Sequence, residues 1–476
     1  MTFGRGLSIS ASMAHPRRLE TLLSRSLTLW LPFVLLPLSF VLLPLSLAAA
    51  AANTTSAAAI GSPDTNLATC REMGLRKCPT PFDAVLPEPK DMLTWSQDQR
   101  VIGFRNTYRQ YKGDVFHADP AHVYPLPAAS APLSSVHYSM DHRDFGLADY
   151  LQHQSVTGLL ILKDGHIAYE HYARGNTDSS LWTSRSVAKS IVSVLVGVAI
   201  KEGRIRSVDA DITEYLPELK QTAWDGVSLR NLLQHTSGVQ WNENYADPKS
   251  DFAELTRCEA SKEPYACVMK LVSSVKRKPG VKPGEVWSYN TGGAWLAGRV
   301  LEKATGTTLA HYLETRLWQR FGMESDGVWE ALVPGKVDMG GHGFNATLRD
   351  WGRVGWFVAE GGRLPTGEAL LPDDWLAQST HWTRARGSVT PATPNGQYGY
   401  QWWHLGPPAG SSAAVEATAE RTFWGEGIYG QALAVNPRAH LVMVQWSTYQ
   451  EADGPDSLSD EQLLFFHAVE ESLSGK

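Results

Sequence analysis

The stretch that decides the fold is residues 182–190, which read WTSRSVAKS. Ser186 stands at a change of period, after which apolar residues recur every three or four positions as far as Ala199, and Gly203 follows. This spacing predicts a helix that is apolar on nearly every side and is therefore buried. On such a helix Lys189 shares a face with Ser186, about one turn away.

A serine becomes an effective nucleophile when a neighbouring group removes its proton. Burial disfavours the charged ammonium form of Lys189, which makes this lysine a candidate base for Ser186. The same serine–lysine spacing recurs at Ser273 and Lys276, where a basic run follows and no apolar helix does. We interpret that second copy as a charged surface turn and Ser186 as the candidate nucleophile.

Strand patterns lie towards both ends of the domain. Residues 156–162 and 166–172 flank a short polar turn, and so do residues 433–435 and 440–446. Residues 205–282 read as helix and loop. The pattern predicts an α/β fold in which one sheet is built from both chain ends and flanked by helices, with an inserted all-α subdomain.

Four segments resemble parts of the serine β-lactamase and penicillin-binding superfamily, and they follow one another along the chain in the order that this superfamily has. Residues 182–190 resemble its first motif, and residues 283–291 (PGEVWSYNT) resemble its second, a Pro-Gly-led loop with a tyrosine. Residues 232–238 and 340–350 resemble segments of the class C-like members. The resemblance covers roughly residues 156–446 and implies a class C β-lactamase-like fold with an antiparallel sheet.

Two further segments, residues 245–248 (YADP) and 427–431 (GIYGQ), resemble the 6-aminohexanoate-dimer hydrolase and esterase branch. The resemblance implies Ser186 as nucleophile, Lys189 as its base and Tyr289 as proton donor to the leaving group. It also implies an oxyanion hole of two backbone N–H groups, one from the nucleophile and one from the second segment. The implied enzyme is a serine hydrolase that cleaves an amide or ester through an acyl-enzyme, without a metal or organic cofactor.

The chain departs from the superfamily pattern at two places. The pattern Tyr-x-Asn would put asparagine where this chain has Thr291, and Asn290 stands one position earlier. Residues 425–427 (GEG) replace the third motif, which normally supplies a cation. Without that cation the site is weakened for the carboxylate of a β-lactam. A neutral amide or ester is therefore favoured over the alternative, a β-lactamase or penicillin-binding DD-peptidase.

The sequence disfavours two other function classes. A catalytically inactive binding protein on the same scaffold is disfavoured because Ser186, Lys189 and Tyr289 are all present. An α/β-hydrolase lipase would carry its nucleophile in a Gly-x-Ser-x-Gly motif, which the chain lacks.

Six more residues are candidates for substrate contact, and each has a purely structural alternative. Trp402 and Trp403 alternate on an expected strand, so that one faces the core and the other roofs the cleft. The carboxylate of Glu426, in a glycine-flanked turn, is expected to be exposed. The candidates are Tyr245, Asn290, His342, Trp403, Ile428 and Tyr429.

The composition is that of an ordinary soluble globular protein. The family resemblance implies a small-molecule substrate. The 476 residues carry a net charge of −6, with no basic stripe, which disfavours nucleic acid as a partner. Four histidines between residues 117 and 142 lack a His-Glu-x-x-His pattern and are interpreted as surface residues rather than metal ligands. The oligomeric state stays open.

The N-terminus has the layout of an export signal. Basic residues precede an apolar run at residues 27–47, and small residues follow, so residues 1–52 are expected to be a signal peptide or a membrane anchor. Residues 53–69 read as a disordered spacer, residues 70–135 as a Pro-rich arm, and residues 136–476 as the hydrolase domain.

The four cysteines fit an exported, periplasmic or secreted protein. Cys70 lies near Cys78, and Cys258 near Cys267. Three pairings are possible, and two short local loops in an oxidising compartment are favoured over four free thiols.

Overall fold

The computed structural model describes residues 69–383, 385–387 and 397–474. Its main sheet has seven antiparallel strands, in the order β10-β11-β12-β13-β14-β4-β5. Strands from the two ends of the domain meet where β14 pairs with β4, which confirms the predicted sheet. The strands are β4 (Val156–Lys163), β5 (His166–Tyr172), β10 (Gln397–Tyr398), β11 (Trp403–His404), β12 (Phe423–Gly427), β13 (Gln431–Asn436) and β14 (Leu441–Ser447).

Alternating side chains of the main sheet enter two different cores. Leu160 and Leu162 face the core that contains helices α3 and α10, whereas Leu159 and Ile161 face a second core formed with α2 and α13. The sheet is therefore covered by helices on both faces. These helices are α2 (Leu147–His153), α3 (Val187–Lys201), α10 (Leu348–Ala359) and α13 (Asp456–Leu473).

A smaller sheet contains the strand that precedes helix α3. Its strand order is β1-β7-β9-β6, with β8 paired to β7, and β6 ends three residues before Ser186. A separate hairpin joins β2 and β3. The strands are β1 (Gly113–Phe116), β2 (His137–Met140), β3 (Arg143–Gly146), β6 (Trp182–Thr183), β7 (Gly327–Val333), β8 (Val337–Asp338) and β9 (Phe344–Ala346).

Residues 70–135 contain more regular structure than a Pro-rich arm suggests. A 3₁₀ turn, Pro89–Thr94, leads into helix α1 (Gln97–Gln110), which Ser96 and Gln99 close with a capping box. The Arg105 guanidinium on α1 pairs with Asp83 at 2.6 Å in a buried contact that holds the segment against the helix.

Residues 205–282 contain three α-helices and two 3₁₀ turns, which are joined by loops. Cys258 and Cys267 form a disulfide here, and Cys70 and Cys78 form a second one, so the favoured local pairing is confirmed. The helices of this segment are α4 (Leu229–Leu233), α5 (Asp251–Glu259) and α6 (Pro264–Ser274), with 3₁₀ turns Ile212–Glu214 and Pro217–Leu219. The remaining helices are α7 (Thr291–Thr305), α8 (Leu309–Leu313), α9 (Gln319–Phe321), α11 (Trp375–Ser379) and α12 (Ala413–Arg421), with a π-helical turn at Glu314–Trp318.

The expected signal or anchor at residues 1–52, and nearly all of the spacer at residues 53–69, lie outside the described residues. Among the helices that the structure does describe, none has the length and apolar character needed to cross a bilayer.

Candidate active site

Ser186 stands at the N-terminus of α3, directly after a strained residue. Arg185 has a φ of +46°, in the left-handed region that a non-glycine residue rarely adopts, and its guanidinium stacks 4.5 Å from the centre of the Phe104 ring. Strain of this kind persists where packing on every side enforces it, and here it aims the Ser186 side chain into a cavity.

Lys189 is held by three oxygen atoms. Its Nζ lies 2.8 Å from Ser186 Oγ, 3.1 Å from Thr291 Oγ1 and 2.7 Å from the carbonyl oxygen of Gly341. The lysine is only 1% exposed, and burial lowers its pKa to about 7, against a weaker opposing effect of the Glu243 and Glu259 carboxylates. Near neutral pH a large fraction of Lys189 is therefore the free amine, in contact with the serine that it would deprotonate.

Tyr289 lies beside Ser186 and Lys189. It lines the same cavity as Ser186, and its ring centre lies 5.1 Å from Lys189 Nζ. Burial raises the pKa of Tyr289, so its hydroxyl keeps its proton at neutral pH. The ring stacks on Trp403 at 5.4 Å between ring centres.

Thr291, at the position where the superfamily pattern has asparagine, links Lys189 to a half-buried carboxylate. Its hydroxyl donates to Glu243 Oε1, and its backbone N–H donates to Glu243 Oε2 at 2.9 Å. The same carboxylate accepts hydrogen bonds from Trp241 Nε1 and from the Tyr245 hydroxyl, the latter at 3.2 Å. Glu243 is thus linked to Ser186 through Thr291 and Lys189.

The cavity in front of Ser186 has a volume of about 290 Å³ and three acidic side chains. Burial raises the pKa of Glu426 well above its usual range and, with the neighbouring Glu243, raises that of Asp453 to about 6. Within the described residues the cavity is lined by Ser186, Glu243, Tyr245, Tyr289, Trp403, Leu405, Glu426, Gly427, Ile428, Gly430, Tyr449, Ala452, Asp453, Ser459 and Gln462, with no lysine, arginine or histidine among them.

Three of the six candidate contact residues line this cavity: Tyr245, Trp403 and Ile428. Trp402, the neighbour of Trp403, is buried at 1% exposure, which is the alternation expected of a strand. The expectation of an exposed Glu426 carboxylate is wrong, because strand β12 turns this side chain into the cavity, where its Oε1 atom is buried.

The other three candidates lie outside that lining. Asn290 caps helix α7, accepting from the Gly293 N–H at 2.7 Å. Tyr429 is buried, and its hydroxyl donates to the Leu93 carbonyl at 3.2 Å. His342 lines a second, smaller cavity that also borders Ser186.

His342 is enclosed by two carboxylates. Its Nε2 lies 2.9 Å from Glu259 Oε1, and its Nδ1 lies 3.3 Å from Glu330 Oε2. Burial on its own would lower the pKa of His342, but the two carboxylates outweigh it and raise this pKa to about 9. The resulting imidazolium anchors the segment in which the preceding residue, Gly341, presents its carbonyl to Lys189.

The sequence reasoning missed Glu243, Glu259 and Asp453. No local pattern marks them, since a carboxylate in a polar loop or at a helix end is usually solvated. The second serine–lysine pair is peripheral: Lys276 is exposed just beyond the end of α6.

The comparisons with known proteins agree with this architecture. A profile of the beta-lactamase family matches residues 147–465, more than half of the chain. The chain belongs to the beta-lactamase family. Members of this family are serine hydrolases of amide and ester bonds, and the chain is an enzyme of this class.

Individual proteins of the family are similar to the chain over much of its length. The 6-aminohexanoate-dimer hydrolase of Paenarthrobacter ureafaciens is 29% identical over 322 residues, which cover 64% of this chain and 76% of that enzyme. A beta-lactamase of Escherichia coli strain K12 is 25% identical over 225 residues, which cover 43% of this chain and 55% of that enzyme. A solved structure from Bacillus anthracis, provisionally named as a 6-aminohexanoate-dimer hydrolase, superposes with a TM-score of 0.64 at 21% identity. The superposition covers 78% of this chain and 94% of the Bacillus anthracis chain, so the two proteins share the fold.

Proposed function

We propose that Ser186 is the acylated nucleophile, that Lys189 is its base and that Tyr289 protonates the leaving group. The observation that carries this assignment is the buried Lys189 amine, 2.8 Å from Ser186 Oγ, with a pKa lowered to about 7. As Ser186 attacks, its proton passes to Lys189, and Tyr289 donates its proton to the departing amine or alcohol. Tyr289 then recovers a proton from the Lys189 ammonium, and water releases the acyl group.

The backbone N–H groups of Ser186 and Ile428 form the oxyanion hole in this proposal. Both residues line the cavity, and no hydrogen bond inside the described part of the chain uses either N–H. Two such donors directed at one point stabilise the negative charge that develops on the substrate carbonyl oxygen.

The substrate in this proposal is an amide or ester that carries a cationic group. The cavity has three acidic side chains and, among the described residues, no lysine, arginine or histidine. Asp453, with a pKa of about 6, is ionised at neutral pH, so the cavity favours an ammonium group and disfavours the carboxylate of a β-lactam. A linear amide of an ω-amino acid, such as a 6-aminohexanoate oligomer, has an ammonium end that fits. Asp453→Asn is expected to raise KM severalfold for an aminoacyl amide, while KM for a neutral ester of similar size stays unchanged.

Labelling with a fluorophosphonate probe tests the nucleophile. We expect one adduct on Ser186, located by mass spectrometry, and its loss in Ser186→Ala. The matched control is Ser273→Ala, which removes the other serine with the same spacing and should label normally. An adduct that survives Ser186→Ala would overturn the assignment.

Substrate panels separate the amidase or esterase proposal from the alternative, a β-lactamase or DD-peptidase. We expect hydrolysis of 6-aminohexanoate-dimer or of short-chain nitrophenyl esters, with slow turnover of nitrocefin and weak labelling by a fluorescent penicillin. Strong signals with both β-lactam reagents would favour the alternative, and no turnover of any substrate would favour an inactive binding protein.

We also propose that the chain is exported to the periplasm or secreted, with residues 1–52 as its signal. The two disulfides support an oxidising compartment. Fractionation of expressing cells and N-terminal sequencing of the mature protein test this. A protein that starts at Met1 and stays in the membrane fraction would indicate an anchor at residues 27–47, and one that stays in the cytoplasm would contradict export.

A further inference from the structure

Three cavities follow one another through the molecule and share walls. The first is the substrate cavity in front of Ser186, and behind it lies a water cavity of about 10 Å³. Ser186 and Ile428 line both of these. The third is a rear cavity of about 560 Å³, which shares Tyr111 and Glu259 with the water cavity.

The water cavity has the size and polarity to hold one water molecule. A volume of about 10 Å³ is close to the minimum that a buried water occupies, and such a water needs two to four polar partners. Its lining supplies them from a carboxylate, an imidazole, a guanidinium and two kinds of hydroxyl. The lining residues are Met92, Tyr111, Arg185, Ser186, Phe252, Thr256, Glu259, His342 and Ile428.

Arg185 provides an independent sign of an occupant. Its side chain is buried at 4% exposure, yet Nε and Nη2 donate to no acceptor among the described residues. Buried guanidinium donors without a partner are costly, and an ordered water that accepts from them removes the cost. Glu259, on the same cavity, is an acceptor for a hydrogen of that water.

We propose that Arg185 and Glu259 hold the water that deacylates Ser186, and that Glu259 is the base for this half of the reaction. This inference rests on the proposed acyl-enzyme at Ser186. The water oxygen forms a bond to the acyl carbon while one of its protons passes to the Glu259 carboxylate. The bond from the acyl carbon to Ser186 Oγ then breaks, and the proton held by Glu259 returns to that oxygen. The products are the free acid and the intact serine.

In this proposal the water reaches Ser186 from the rear cavity, away from the bound substrate. A bound acyl group fills the substrate cavity and excludes solvent from the front. Glu259 borders the rear cavity as well as the water cavity, so a consumed water can be replaced from behind. Acylation would then depend on Lys189 and Tyr289 on one side of the serine, and deacylation on Glu259 on the other.

The test compares Glu259→Gln with Glu330→Gln in burst kinetics on a p-nitrophenyl ester. Each variant removes one of the two carboxylates that pair with His342, but Glu330 does not line the water cavity. For Glu259→Gln we expect a burst of about one equivalent at a rate near that of wild type. Its steady-state rate should then fall roughly 100-fold or more, the usual contribution of a general base. Intact-mass measurement should show the acyl-enzyme on Ser186.

Hydroxylamine rescue and the Glu330→Gln control decide whether Glu259 is the base. Hydroxylamine, which attacks the acyl carbon without a base, should restore turnover of Glu259→Gln, and Glu330→Gln should deacylate within a few-fold of wild type. If Glu259→Gln slows the burst as much as the steady state, or if Glu330→Gln accumulates acyl-enzyme equally, Glu259 acts only through the position of His342 and the proposal is overturned. A normal burst in Ser186→Ala would instead overturn the proposed function itself.

Discussion

Lys189 Nζ lies 3.1 Å from Thr291 Oγ1, and that hydroxyl donates a hydrogen bond to the Glu243 carboxylate. The threonine therefore occupies the place of the family's asparagine while linking the lysine to a carboxylate. We expect Thr291→Val to lower kcat about tenfold, the equivalent of one hydrogen bond of about 1.4 kcal/mol. Thr291→Ser, which keeps the hydroxyl, serves as the control and should stay near wild type. A Thr291→Val enzyme of full activity would show that the link has no part in catalysis.

The pH profile should report the titration of Lys189. In the proposed mechanism the neutral amine of Lys189 is the active form. Because its pKa is about 7, kcat/KM for a neutral ester should rise with pH, reach half its maximum near pH 7 and then level off. The raised pKa of Tyr289 keeps that hydroxyl protonated across the plateau.

A variant of Glu243 tests whether the rising limb of the pH profile belongs to Lys189. The Glu243 carboxylate favours the charged form of Lys189, so Glu243→Gln should move the rising limb to lower pH. Rates measured between pH 5 and 9 in buffers of constant ionic strength check this. A limb that stays in place, or moves upward, would contradict the assignment of the limb to Lys189.

The two neighbouring tryptophans should separate function from stability. Trp403 stacks on Tyr289 and lines the cavity, so Trp403→Ala should raise KM and lower kcat with little change in unfolding. Trp402→Ala empties a buried site and should cost about 3–5 kcal/mol of unfolding free energy. Urea denaturation and steady-state kinetics on both variants check this; equal losses of stability would contradict it.

His342 should make stability depend on pH. Its pKa is about 9 when folded and about 6.5 when unfolded, so its contribution is full below pH 6.5 and is lost as pH rises through 9. The difference of about 2.5 units corresponds to about 3 kcal/mol. Lys189, with its pKa lowered to about 7, acts in the opposite direction between pH 7 and 10.5, so wild type alone would hide the effect.

The measurement that isolates this effect is the difference in unfolding free energy between wild type and His342→Gln, since both keep Lys189. That difference should shrink between pH 6.5 and 9. A constant difference would show that His342 is not held as an imidazolium.

Much of the fold was readable from local patterns. Period-two runs predicted the hairpins β4–β5 and β13–β14, and the period of α3 predicted a buried helix after Ser186. The spacing of Ser186 and Lys189 brings these two side chains together on any helix, whatever surrounds it.

Other features depended on parts of the chain that meet only after folding. Glu243 comes from the insertion, Glu426 from strand β12, and Asp453 from the loop before α13, yet all three line one cavity. Nothing in the neighbouring residues of each one signals that meeting. The sequence pattern suggested an exposed Glu426 because it shows a glycine-flanked turn and not what packs above it.

The sequence by itself determined helix α3, the main sheet and the position of Lys189 beside Ser186, because these follow from periodicity and from contacts within one turn. Tertiary structure alone decided the charge of the site. A carboxylate, an imidazole or an amine acquires its pKa from burial and from partners that are distant along the chain, as His342 does between Glu259 and Glu330. The acidity of the substrate cavity and the water cavity behind Ser186 therefore became visible only in the folded chain.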